Sequence, residues 1–125
     1  MEKVYLACPY SHRFKRIRQE RVYHATRCAA KMLEYGFLVY SPLTHTANLA
    51  KYLPSHLDMC WDFWQDISFT FVDWADVLWV LALKGWGDST GVQAEINRAA
   101  KQFKIIEYAT PAQILDRTHP RLMVN

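Results

Sequence analysis

A glutamate on the apolar face of a predicted helix is the first side chain in this sequence that could do chemistry. Glu95 follows Val92 by three residues and precedes Ala99 by four, so it shares their buried stripe. It lies about two turns into the helix, below the positive end of the helix dipole, which favours the ionised carboxylate. The position suits a reactive carboxylate, and it suits an ordinary glutamate at the edge of the core equally well.

The elements around Glu95 form half of a βαβ unit. Residues 77–83 are a continuous apolar run, typical of a strand buried on both faces of a parallel sheet. Residues 84–88 form a turn that contains two glycines, and a helix begins at Ser89, with Asp88 or Ser89 as its N-cap. Ligands of such sheets bind beyond the carboxyl ends of the strands, so we expect a site at this edge.

The rest of the chain alternates strand and helix. Residues 41–57 are predicted as a long irregular loop with two histidines, and residues 117–125 as a tail. The pattern predicts one three-layer, Rossmann-like α/β domain over residues 1–125, with a parallel sheet of four to five strands. The remaining predicted strands cover residues 4–8, 37–40 and 103–108, and the remaining helices cover residues 14–33, 58–74 and 110–115.

Composition limits the classes of function. The chain has 125 residues, is 51% apolar and carries a net charge of +3, which does not support binding to a nucleic acid polymer. Its three cysteines are too scattered for a disulfide framework or a zinc site, and we expect neither a metal nor a cofactor. The apolar segments are too short to span a membrane, and no signal peptide precedes the first strand, so a cytoplasmic location is expected.

The helix over residues 58–74 carries more aromatic side chains than one face can hold. A helix fully covered by its own chain would explain the surplus, but in a domain this small a subunit interface explains it better. We therefore predict a homodimer or a larger homo-oligomer. The aromatic side chains concerned are Trp61, Phe63, Trp64, Phe69, Phe71 and Trp74.

An ordered set of short motifs resembles the nucleoside 2-deoxyribosyltransferase superfamily. The resemblance is closest to its nucleotide N-hydrolase branch and to a related, uncharacterised bacterial and phage family. It spans about the first 107 residues. The motifs are VYLACPYS at residues 4–11, VYSPLTH at residues 39–45, Ala75-Asp76, Gly85-Trp86, and Ser89-x-Gly91-Val92-x-x-Glu95-Ile96-x-x-Ala99.

The resemblance implies cleavage of an N-glycosidic bond, by hydrolysis or by deoxyribosyl transfer, in a (deoxy)nucleoside 5′-monophosphate. Breaking this bond builds positive charge on the sugar C1′, so a carboxylate is needed beneath that carbon and a proton donor near the leaving base. By the same resemblance, Glu95 is the nucleophile that forms a covalent glycosyl-enzyme. Tyr5, in the first strand, matches the family tyrosine that orients this glutamate.

Substrate-binding residues follow from the same motifs. The Ser89 hydroxyl and the amides near Gly91 open a helix, which is a natural place for a 5′-phosphate. Arg13, with Lys15 or Arg16, would add positive charge nearby, or these side chains form a solvated helix face. The same motif without phosphate binding would suit a free nucleoside. The further residues assigned to substrate binding are Tyr10, Ser11, His45 and Trp86.

One departure from the family pattern concerns the proton donor. The family's second carboxylate usually lies about eight residues before the Ala-Asp pair that opens the central strand, and this chain has Ser68 at that position. Either Asp66, with Asp62 one turn before it, takes over as the general acid, or the general acid is missing. The competing hypothesis is therefore a non-catalytic nucleotide-binding or signalling module on the same fold.

Overall fold

The computed structural model describes residues 1–123, in which the strands are β1 (Lys3–Ala7), β2 (Leu38–Tyr40), β3 (Val77–Leu81) and β4 (Ile105–Ala109). These four parallel strands form one sheet in the order β2-β1-β3-β4. The central strands β1 and β3 are the most deeply buried, as their continuous apolar runs predict.

Helices cover both faces of the sheet and complete three layers. The helices are α1 (Lys15–Glu34), α2 (Pro42–Ala50), α3 (Trp61–Trp74), α4 (Thr90–Lys101) and α5 (Pro111–Leu115). One core contains buried residues of α1, α2 and α5, and the other contains buried residues of α3 and α4. The predicted fold class is therefore confirmed. No helix within residues 1–123 combines the length and the apolar character needed to cross a membrane.

The alternation of side chains along β1 decides which of them face the candidate site. Val4 and Leu6 belong to the core beneath α1, whereas Tyr5 and Ala7 belong to the core beneath α3 and α4. Tyr5 pairs in register with Leu78 of β3. This register places the Tyr5 ring at the centre of the sheet, on the face that α4 covers.

The prediction of an irregular loop over residues 41–57 is wrong for its first half. Helix α2 occupies Pro42–Ala50, and a short 3-10 helix follows at Ser55–Leu57. Pro42 is the first helical residue, where its missing N–H costs nothing, and Leu43 anchors the helix in the core. The proline and the polar residues that suggested a loop are therefore compatible with a short amphipathic helix.

The segment predicted as a tail packs onto the domain as far as the structure describes it. His119 and Leu122 are buried, and a 3-10 helix occupies Pro120–Leu122. The Arg121 guanidinium lies 2.9 Å from the Glu2 carboxylate, which ties this segment to the start of β1. Residues 124 and 125, the end of the predicted tail, lie outside the described residues.

The surplus aromatic side chains of α3 have partners within the chain. The Trp61 ring lies against Gly91 of α4, and Phe71 stacks on Tyr40 with 3.8 Å between ring centroids. Phe63 is exposed. Because packing within the chain accounts for much of the surplus, the homo-oligomer stays a prediction.

Candidate active site

A pocket of about 570 Å³ opens at the carboxyl ends of β1 and β3. Its walls come from the loop after β1, the helix α2, the first half of α3 and the start of α4. In this strand order the chain reverses its direction of winding between β1 and β3, which is where open α/β sheets bind ligands. The volume lies in the range of small-molecule sites.

Tyr5 and Glu95 meet at the base of this pocket. Both side chains are buried, and the Tyr5 hydroxyl donates a hydrogen bond to Glu95 Oε2. Glu95 also lines the pocket, although only 4% of the residue is exposed. Ser68 of α3 is buried beside the pair, close enough to influence the pKa of both side chains. The pocket thus ends on a carboxyl group that the Tyr5 hydroxyl holds in place.

Burial controls the protonation of this pair. It raises the pKa of Glu95 to about 8, against the lowering effect of the hydrogen bonds from Tyr5 and Ser68. Burial, followed by the nearby Glu95 charge, raises the pKa of Tyr5 well above its usual range. The dipole of α4 favours the ionised form, whereas burial acts in the opposite sense and is the largest influence on the pKa of Glu95.

The start of α4 offers donors for an anion. Ser89 is the N-cap, and its Oγ accepts a hydrogen bond from the Val92 N–H at 3.2 Å, while its carbonyl accepts from Gln93 N–H at 3.0 Å. These bonds use the third and fourth amides of the helix. The amides of Thr90 and Gly91, the first two of the helix, have no intrahelical acceptor, and both residues line the pocket, so these amides and the Ser89 hydroxyl proton can serve a ligand there.

Arg21 of α1 joins the two loops that frame the pocket. Its guanidinium donates to the carbonyls of Tyr10 (3.3 Å) and Ser11 (2.9 Å) after β1, and to the carbonyl of Lys84 (2.9 Å) after β3. A Cβ on Gly85, which has φ +92°, would lie 3.0 Å from Arg21 Nη2. Glycine at this turn therefore allows the left-handed backbone conformation, and it leaves room for the Arg21 guanidinium.

The inward position of Arg21 is visible in the sequence, although none of the short motifs includes this residue. Arg21 follows Ile17 by four residues and precedes Ala25 by four, so it lies on the buried stripe of α1. A charged residue in such a stripe is the same kind of exception that drew attention to Glu95. The predicted basic residue Arg13 is instead exposed, with its guanidinium over the Phe14 ring.

Asp58 is a second carboxylate in the pocket wall. The Tyr10 hydroxyl lies 2.9 Å from Asp58 Oδ1 and 3.0 Å from Oδ2, and Arg18 Nε lies 3.9 Å from Oδ2. Burial, and then Asp58, raise the pKa of Tyr10 to about 12. The sequence predicts Asp58 only as the first residue of a helix, because its proximity to Tyr10 depends on the path of residues 51–60.

The predicted site residues divide into two groups. The pocket brings together Glu95, Ser89, Gly91, Tyr10 and Ser11, with Tyr5 directly beneath Glu95. Four others lie outside the pocket lining, namely Arg13, His45, Asp66 and Trp86.

The placement of Asp66 follows from helix geometry. Ser68 faces Glu95, and a residue two positions away in an α-helix points about 200° around the axis. Asp66 accordingly lies on the exposed side of α3, where it is not placed to protonate a base in the pocket. His45 is also exposed, against the Tyr40 ring, and Trp86 packs against Tyr108.

The fold and site define an α/β protein with a buried carboxyl group at the ligand-binding edge of a parallel sheet. Residues 1–123 contain no group of three His, Cys, Asp or Glu side chains that could hold a metal ion. A family model described as "Domain of unknown function (DUF1937)" matches residues 2–110, and the chain belongs to this family. A comparison with curated proteins finds no match.

Proposed function

We propose that this protein cleaves the N-glycosidic bond of a (deoxy)nucleoside 5′-monophosphate, by hydrolysis or by deoxyribosyl transfer. The observation that carries the proposal is the Glu95 carboxyl group at the base of the pocket, buried and bonded to Tyr5. No cationic side chain of the described residues forms an ion pair with Glu95, so its charge has no role in holding the fold together. A sugar carbon that becomes positive during the reaction would be the group that this charge stabilises.

In the proposed reaction, one Glu95 oxygen attacks C1′ while the electrons of the C1′–N bond leave with the base. The result is a covalent ester between Glu95 and the sugar, which water or a second base then displaces. Tyr5 holds one carboxylate oxygen and so directs the other into the pocket. Positive charge developing at C1′ favours the ionised carboxylate, which offsets the effect of burial on the pKa of Glu95.

The start of α4 is the proposed site of the 5′-phosphate. Ser89 and Glu95 are six residues apart, which corresponds to about 9 Å along the helix axis at 1.5 Å per residue. The phosphate and C1′ of a ribose 5-phosphate lie closer together than this, and the Glu95 side chain shortens the separation because helical side chains lean towards the helix N-terminus. The amides of Thr90 and Gly91 and the Ser89 hydroxyl would then bind the phosphate while Glu95 faces the sugar.

Protonation of the departing base is assigned to solvent in this scheme. Asp66 lies outside the pocket lining, and Ser68 occupies the position of the usual family carboxylate. Bases that leave readily as anions, or that already carry positive charge, should therefore react fastest.

The direct experiment is a panel of ribo- and deoxynucleoside 5′-monophosphates and the matching nucleosides. Each is incubated with the protein, with and without a free acceptor base, and the released base is measured by chromatography. Base release from monophosphates is the expected result, and a new nucleotide formed with the acceptor would identify transfer. Binding without any base release would instead identify the non-catalytic nucleotide-binding module.

Ser89→Ala should reduce the preference for a nucleotide over its nucleoside by about fivefold, which corresponds to about 1 kcal/mol for one hydrogen bond to a charged group. The measurement is the dissociation constant of a monophosphate and of its nucleoside, by calorimetry. Because Ser89 also caps α4, Ala should lower stability as well.

Ser89→Gly is the matched control for this change. Glycine preserves most of the N-cap stability but also lacks the hydroxyl, so both variants should lose the same phosphate preference. Equal affinity of the wild-type protein for nucleotide and nucleoside would contradict the phosphate assignment.

A further inference from the structure

We propose that Asp58 makes the pocket selective for bases that carry an exocyclic amino group. The inference rests on the proposed function, since it names the substrate class of the same pocket. It predicts that adenine, cytosine and guanine nucleotides bind better than their counterparts with a carbonyl oxygen in place of the amino group.

The first observation is the spare acceptor capacity of Asp58. A carboxylate can accept about four hydrogen bonds, but the Tyr10 hydroxyl has one proton to share between Oδ1 and Oδ2. Arg18 Nε, at 3.9 Å, is beyond hydrogen-bond distance, although its charge is close. The Asp58 side chain is 28% exposed and lines the pocket. A ligand that covers this carboxylate without donating to it would leave it buried and underpaired, which costs binding free energy.

The second observation is a group of large apolar and aromatic side chains in the pocket wall, close to Asp58 in sequence. Met59, Trp61 and Trp64 follow it in sequence and line the same pocket. The Trp64 Nε1–H donates to the Leu57 carbonyl at 2.8 Å, which fixes that indole ring. Aromatic side chains of this kind stack on nucleobases whatever the base identity. Stacking would therefore bring a base to this wall, and its polar edge to Asp58.

The third observation is the different hydrogen-bonding character of two parts of the pocket wall. The start of α4 offers the Thr90 and Gly91 amides and the Ser89 hydroxyl, which suit a phosphate, with the Asp88 carboxylate next to them in the wall. Asp58 offers acceptor oxygens, which suit a hydrogen-bond donor and not a phosphate. A nucleotide that places its phosphate at α4 would then present its base to Asp58. In that orientation an amino group donates to the carboxylate, while a carbonyl oxygen at the same position is repelled.

The test compares pairs of ligands that differ in one group. Dissociation constants are measured for AMP against IMP and for CMP against UMP, by tryptophan fluorescence or calorimetry, in the Glu95→Gln protein so that turnover does not intervene. We expect the amino member of each pair to bind about tenfold or more tightly, as a charge-assisted hydrogen bond predicts. This comparison needs no substitution at Asp58.

Asp58→Asn in the same background should reduce each preference to about twofold or less, because an amide can both donate and accept. Its Oδ1 can still accept from Tyr10, so the local packing is preserved. Asp88→Asn is the matched control, since it removes the same charge from another residue of the pocket wall. That variant should change the affinities of both members of a pair alike.

The outcomes separate this inference from the proposed function. Equal affinities within both pairs, or a preference that survives in Asp58→Asn, would overturn the role of Asp58 while nucleotide binding stands. If neither these four monophosphates nor their 2′-deoxy counterparts bind, the proposed function itself fails and the inference fails with it.

Discussion

Glu95→Gln should reduce base release by about a thousandfold or more while the protein still folds and binds nucleotide. The substitution is nearly isosteric, so packing beside Tyr5 and Ser68 is preserved. It removes both the nucleophile and the negative charge that stabilises a positive C1′. The measurements are the rate of base release, the dissociation constant of the substrate and the melting temperature.

Asp66→Asn is the matched control, because it makes the same chemical change on the exposed side of α3. Its rate should stay within about twofold of wild type, as is usual for a surface change away from a site. An unchanged rate in Glu95→Gln would remove the glycosidic mechanism. A large loss in Asp66→Asn would show that α3 supplies the general acid.

The kcat/KM for base release should rise about tenfold per pH unit below pH 8 and then level off. Burial raises the pKa of Glu95 to about 8, so the free protein holds this carboxyl group mostly protonated at lower pH, and only the ionised form can attack C1′. From pH 6 to pH 9 the expected change is about a hundredfold. A profile that is flat from pH 6 to pH 9 would contradict the assignment of Glu95 as the ionising group.

Tyr5→Phe provides a second test of whether the ionisation of Glu95 controls the pH dependence of kcat/KM. The hydrogen bond from Tyr5 lowers the pKa of Glu95, so its loss should move the acid limb of the profile to higher pH. A role for Tyr5 in packing alone would lower the rate without moving the limb.

The contribution of Glu95 to the stability of the protein should depend on pH in the opposite sense to the activity. A carboxyl group whose pKa is higher in the folded state than in the unfolded state binds its proton more tightly when folded. Its contribution is therefore most favourable below pH 4.5 and is lost as the pH rises towards about 8. Glutamine does not ionise, so Glu95→Gln does not lose this stability as the pH rises. The melting temperature of Glu95→Gln, relative to that of the wild type, should therefore increase between pH 5 and pH 8.5.

The fold could be predicted because its determinants are local. The apolar runs of β1 and β3 are long enough to require burial on both faces, and the glycine turn and cap after β3 define the start of α4. Helix α2 escaped prediction because Pro42 and several polar residues resemble a loop. The burial of this segment depends on contacts with distant parts of the chain that no local pattern encodes, such as the packing of His119 against Trp79 and the ion pair of Arg121 with Glu2.

The site was only partly predictable for a related reason. Helical periodicity places Glu95 inwards, and it would have placed Arg21 inwards too, because both interrupt a buried stripe. Helical geometry also separates Ser68 from Asp66 by about 200° around α3. For this reason Asp66, although only two residues from Ser68 in sequence, does not take the position of the family's proton donor. Asp58 enters the pocket through the tertiary path of a connecting segment, which periodicity does not describe.

Covalent capture of the glycosyl-enzyme tests the central claim most directly. A 2′-fluoro analogue of a monophosphate substrate should slow both steps, since fluorine disfavours positive charge at C1′. After acid quench, mass spectrometry should find the fluorodeoxyribosyl phosphate on the tryptic peptide 85–98, which contains Glu95, and should find none in Glu95→Gln. Base release with no adduct on that peptide, or an adduct on another residue, would contradict Glu95 as the nucleophile.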